Sequence, residues 1–143
     1  MPFLEPNRRL LVSTLDGWSD FVLGQPLAFA TRSGRLLRCR VGATTDGLSS
    51  PKFVKCDLQN SCTFFPAVAH DGAYRGDLEE SFDKGVTWSP AKLSKVEADD
   101  LLLELLEDNG VPGDTADIIY EAVAKFGQSS WDADEALREA PKG

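Results

Sequence analysis

The chain has 143 residues, 42% of them hydrophobic and 27% charged, which is the balance of a water-soluble globular protein long enough to bury a core without staples. A net charge of −8 repels phosphate backbones and anionic surfaces, so nucleic acid is not an expected partner. No apolar run approaches the roughly 20 residues of a membrane span, and the start, MPFLEPNRRLLVSTLDGW, lacks the layout of a signal peptide.

The first half is rich in strand and turn signals. PLAFATRSGRLLRCRVG holds two apolar-polar segments around Ser33-Gly34, the pattern of a β-hairpin. In its second arm Leu37, Cys39 and Val41 alternate with Arg38 and Arg40, giving one buried and one wet face. VGATTDGLSSPK follows with the composition of a structured loop, in which Asp46 and Ser49 would cap backbone amides and Pro51 would fix the exit. The cysteines, Cys39, Cys56 and Cys62, are odd in number and form no C-x-x-C, so reduced thiols are expected. Cys56, Cys62 and His70 match the spacing of no common structural zinc site.

The second half reads as helical. Pro66 suits the first turn of a helix running to about Tyr74. RGDLEESFDKGVTWSPAK looks like a surface excursion. Ser94 and Glu97 form a capping box opening a helix that Gly110 stops. Asp114 and Asp117 open a third helix, ended by Gly127, and DADEALREA suggests a short fourth. The class is therefore α+β: a small N-terminal antiparallel sheet followed by three or four helices. One domain over 1–143 is expected, with 8–62 mainly β and loop and 64–139 mainly helical.

The long helix carries an anomaly. Val96, Leu101, Leu102, Leu103, Leu105 and Leu106 cover a broad arc, and Glu97, Asp100, Glu104, Glu107 and Asp108 gather opposite. Asp99 falls inside the apolar arc, where a carboxylate needs a partner. The only histidine lies in FFPAVAHDGAYRG, with Tyr74 four residues on, along the same helix face. An aspartate from a second helix can hold one imidazole nitrogen and leave the other to take a proton from water, and Asp99 is the candidate. Asp71, rotated about 100° from His70, could hold a calcium ion together with oxygens from the Thr44-Thr45-Asp46-Gly47 loop. In the alternative, His70, Asp71 and Asp99 form a polar network that fastens the sheet to the helices.

The ordered motifs TTDGLSSPK, AVAHDGAY, EADDLLLELLEDNGVP and IIYEAVAKFGQSSW resemble a family of small phage- and prophage-encoded proteins catalogued as a domain of unknown function, over roughly residues 25 to 131. Lys52 stands where that pattern has arginine, and 76–92 reads as an insert. H-D-x-x-Y with an aspartate on the next helix is also similar to the active site of secreted calcium-dependent phospholipases that cleave the sn-2 ester. That likeness implies His70 as the base for water, Asp71 as a calcium ligand with Asp46 beside it, and Tyr74 and Asp99 as supports, while Thr45, Ser49 and Pro51 shape the loop. The paired disulfides and glycine-rich calcium loop of those enzymes have no counterpart in the sequence. Two functions follow as expectations. One is a phage hydrolase of ester-type bonds. The other is a virion or tail-assembly component working in the host cytoplasm or the particle, with phage structural proteins or the host envelope as partners.

Overall fold

The computed structural model describes residues 12–15, 20–45 and 61–140, with the backbone alone given for 12–15, 20–21 and 61–64. The strands among these are β1 (Val12–Leu15), β2 (Asp20–Leu23), β3 (Leu27–Ala30), β4 (Leu36–Cys39), β5 (Thr44–Thr45), β6 (Leu78–Ser81) and β7 (Ser89–Pro90). The helices are α1 (Ser61–Arg75), α2 (Lys95–Asp108), α3 (Gly113–Phe126), α4 (Gln128–Ala133) and α5 (Glu135–Glu139). An antiparallel sheet early in the chain and helices after it make the class α+β, as the sequence implies.

Strands pair in two antiparallel sheets, β1-β2-β5 and β3-β4-β6-β7. The hairpin at Ser33-Gly34 is present: Gly34 takes the positive φ of +91° its turn needs, and its amide donates to the Thr31 carbonyl at 3.0 Å. Leu37 and Cys39 are buried as expected, but Val41 lies past the end of β4 and is 55% exposed.

The surface excursion is overturned. Its first residues form β6, which sits inside the four-stranded sheet between β4 and β7. LEES has neither β-branched residues nor alternation, so nothing local marks it as a strand. Cross-strand charge does the work: Arg38 lies opposite Glu79 and bonds it at 2.8 Å, and Arg35 grips Glu80 through two 2.8 Å bonds. The loop to β7 is tied by Asp83, which accepts from Ser81 Oγ at 2.8 Å and from the Thr87 amide at 2.8 Å. These bonds, led by that from the Thr87 hydroxyl, pull the Asp83 carboxyl down to about 2.

α1 begins earlier than the sequence suggests, so Pro66 sits well inside the helix and not in its first turn. The ring removes the amide that would bond the carbonyl four residues back and crowds that carbonyl. From Phe65 onward α1 is buried on nearly all sides, as befits a helix packed against α2, the strands and α5 at once. Its approach to the sheet is possible because residue 72 is glycine: a Cβ there would meet Cys39 Sγ at 2.8 Å. α2 opens with the expected capping box, since Ser94 and Glu97 each bond the other's backbone amide. Its buried arc is Ala98, Asp99, Leu101, Leu102, Leu105 and Leu106. Val96, expected in that arc, is 67% exposed; it lies roughly 160° around the axis from Ala98 at about 100° per residue. α3 starts at Gly113 with no side-chain cap, Asp114 instead accepting from the Thr115 amide at 2.9 Å. The single helix expected near the C-terminus is two short ones, α4 and α5.

Candidate functional site

Three of the expected site residues meet between α1 and α2. His70 Nε2 lies 2.8 Å from Asp99 Oδ1, and the Tyr74 hydroxyl donates to the same oxygen at 2.7 Å. Asp99 is 3% exposed, His70 7% and Tyr74 4%. The anomaly on α2 is thus resolved by partners one turn apart on α1. A fourth member was not foreseen: Lys95, one turn before Asp99 on α2, donates to Asp99 Oδ2 at 2.7 Å. The i, i+4 spacing of Lys95 and Asp99 was the available signal, masked by the position of Lys95 beside the cap.

Burial works against charge on Asp99, and the donors His70, Lys95 and Tyr74 outweigh it, holding the carboxyl below its ordinary range. Asp99 is therefore a carboxylate, able only to accept, so the imidazole nitrogen facing it, Nε2, carries a proton. Among the described residues Nδ1 has no hydrogen-bond partner, yet no buried side-chain nitrogen or oxygen there lacks one. His70 as a whole is buried, its side chain 9% exposed. Tyr74 is pushed well above the ordinary phenol range, first by burial and then by its bond to Asp99, and stays a neutral donor.

The Tyr74 ring is wedged in place. It stacks at a tilt on His70, centroids 4.3 Å apart, and meets Trp131 of α4 edge-on at 5.1 Å. Arg138 of α5 lies 3.4 Å over the Trp131 ring and donates to the Trp131 and Tyr74 carbonyls. A Cβ at residue 127 would lie 2.8 Å from the Tyr74 hydroxyl and 2.4 Å from the Val123 carbonyl oxygen, so the chain needs glycine there.

Asp71 points to a different neighbour. Its Oδ2 accepts from the buried Thr45 hydroxyl at 2.5 Å, and Arg75 one turn on donates to Thr44 at 2.8 Å. The structure therefore places Thr45 against Asp71, beside the His70 site. Asp46, Ser49, Pro51 and Cys56 lie outside the described residues, and of Cys62 only the backbone is described. Among the described residues no three His, Cys, Asp or Glu side chains gather as a metal site. Cys39 is a buried free thiol, its ionisation pushed far up by burial and by Asp77 and Asp71. No helix among the described residues is long and apolar enough to cross a membrane.

The chain belongs to the family described as "Protein of unknown function (DUF1353)", whose model matches residues 21–123. That span includes His70, Asp71, Tyr74, Lys95 and Asp99 and ends before Trp131. No curated protein and no solved structure matches the chain.

Proposed function

For this member of the DUF1353 family we propose a hydrolase of ester-type bonds with His70 as general base. The observation that carries the reading is a buried carboxylate, Asp99, holding His70 Nε2 at 2.8 Å while Nδ1 makes no hydrogen bond among the described residues. Nδ1 takes a proton from water as the hydroxide oxygen adds to the ester carbonyl. Asp99 stabilises the imidazolium this creates. The same proton then passes to the leaving alkoxide, the acyl–oxygen bond breaks, and the ring returns to its neutral form.

Asp71, which accepts from Thr45, would hold a calcium ion together with Asp46, and that cation would supply stabilisation of negative charge developing on the ester carbonyl. A phage or prophage origin is proposed on the resemblance in the order of the motifs, and a lipid of the host envelope as the ester source on the likeness of His70, Asp71, Tyr74 and Asp99 to the sn-2 phospholipase site.

The test is turnover of fluorogenic carboxylic esters, a phospholipid sn-2 ester among them, by wild type and His70→Gln with calcium and with chelator. The expected result is hydrolysis above blank that falls by about 10²–10⁴ in the variant. Turnover unaffected by His70→Gln refutes it.

The second reading is a non-enzymatic virion or tail-assembly component in which the same residues fasten α1 to α2. The near-complete enclosure of His70, Tyr74 and Asp99 favours it. Under that reading His70→Gln lowers the melting temperature and no ester is cut by the wild type.

A further inference from the structure

We infer that Lys95 is a positioning residue for His70, fixing the Asp99 carboxylate so that the imidazole is held in one tautomer. The inference rests on the reading of Nδ1 as the base. Lys95 is the first residue of α2, and its side chain is 15% exposed. Its ammonium has three protons and can only donate. Three acceptors lie around it: Asp99 Oδ2 at 2.7 Å, the Val123 carbonyl at 3.3 Å and the Ala124 carbonyl at 3.5 Å.

Two consequences follow. The carboxylate is donated to on both oxygens, by α2 through Lys95 and by α1 through His70 and Tyr74, so its plane cannot turn. Lys95 is also the only lysine or arginine bonded to Asp99 among the described residues, and with His70 and Tyr74 it favours the ionised form of that buried group. An ionised carboxylate forces the proton onto Nε2, whereas a protonated one could donate and send the ring proton to Nδ1, removing the base. The two carbonyls belong to the last turn of α3, where the helix dipole favours a cation. The docking of α3 on α2 is thereby linked to the state of His70.

His70 is the only histidine, so a long-range proton–nitrogen correlation spectrum of the full chain shows one imidazole. The wild type is expected to give a pyridine-like Nδ1, a pyrrole-like Nε2 and a protected Nε2 proton. In Lys95→Met the two nitrogen shifts should draw together and the protected proton signal should vanish. Lys95→Arg should restore the wild-type pattern, and Lys95→Gln, which keeps a donor without the charge, should lie between. A folded Lys95→Met or Lys95→Gln with the wild-type pattern overturns the inference, as does an averaged pattern in the wild type. None of these readouts needs turnover. Lost tautomer order in a protein that cuts no ester supports the role of Lys95 while refuting the hydrolase. Ester hydrolysis with an unchanged ring pattern in Lys95→Met does the reverse.

Discussion

Replacing Asp99 by asparagine keeps the shape of the side chain and changes which way each hydrogen bond must run. The carboxylate accepts from three donors, His70, Tyr74 and Lys95, at 2.7–2.8 Å. The amide has one acceptor and one donor end. Lys95 cannot accept, so it captures the new carbonyl, and the amide NH₂ turns toward His70 and Tyr74. Both can accept: the phenol through a lone pair, the imidazole by moving its proton from Nε2 to Nδ1. No clash results, but the bonds to His70 and Tyr74 become neutral ones, and Lys95 loses its counter-charge while still donating to the carbonyl. At a difference of about 1 kcal/mol for each of the two, with the lost ion pair set against no longer burying the carboxylate charge, the cost is about 2 kcal/mol. For a chain of this size that lowers the melting temperature by roughly 4–8 °C. Activity, where the base is His70, should fall by about 10⁴, the size of the wrong-tautomer effect in a serine-protease triad. The assay is a thermal melt at neutral pH alongside the imidazole nitrogen spectrum. A melting temperature within 1 °C of wild type with Nε2 still protonated would refute the reasoning.

The same carboxyl sets an acid limit. Its folded value is lowered, so its contribution is fully present above the unfolded value of 3.8 and is lost as pH falls through the folded one. Urea melts from pH 6 to pH 2 should therefore show a shallower loss of stability in Asp99→Asn than in wild type. Gly72→Ala drives a methyl into Cys39 Sγ and should cost about 1–3 kcal/mol in chemical denaturation; adding Cys39→Ala should cost less than the two changes summed, because the smaller side chain makes room. Ser94→Ala removes half of the α2 capping box and should cost about 1 kcal/mol by the same measurement, without changing the His70 spectrum.

What was legible in the sequence was whatever a single segment encodes. The Ser33-Gly34 hairpin, the Ser94–Glu97 cap and the misplaced Asp99 each declare themselves within a few residues. Asp99 was the most informative, because burial of a carboxylate requires a partner and His70 and Tyr74 offered one face with two donors. β6 was illegible because its strand is made by arginines about forty residues earlier in the chain, and LEES alone carries no β signal. Lys95 was hidden for a related reason: at the start of a helix it reads as a solvated residue until α3 supplies two carbonyls. The start of α1 is not legible because proline favours a first turn, and only the packing of α1 against its neighbours offsets the cost of about 3 kcal/mol or more of a proline further in.

The cluster also bears on which of the two functions fits. A scaffold that ties α1 to α2 is complete with Tyr74 and Lys95, which occupy both oxygens of Asp99. Trp131, Arg138 and Gly127 then hold Tyr74 from the far side. The histidine adds a second donor to an oxygen that already has one, and its remaining nitrogen makes no bond within the described residues. Charge balance does not require it either, since Lys95 already neutralises Asp99. Within the network His70 shares Asp99 Oδ1 with Tyr74, so its removal still leaves a donor on each carboxylate oxygen. A stability comparison follows directly: Tyr74→Phe, which removes a bond needed by the scaffold, should leave the ring's Nε2 proton in place, whereas His70→Gln should leave α1 and α2 joined through Tyr74 and Lys95.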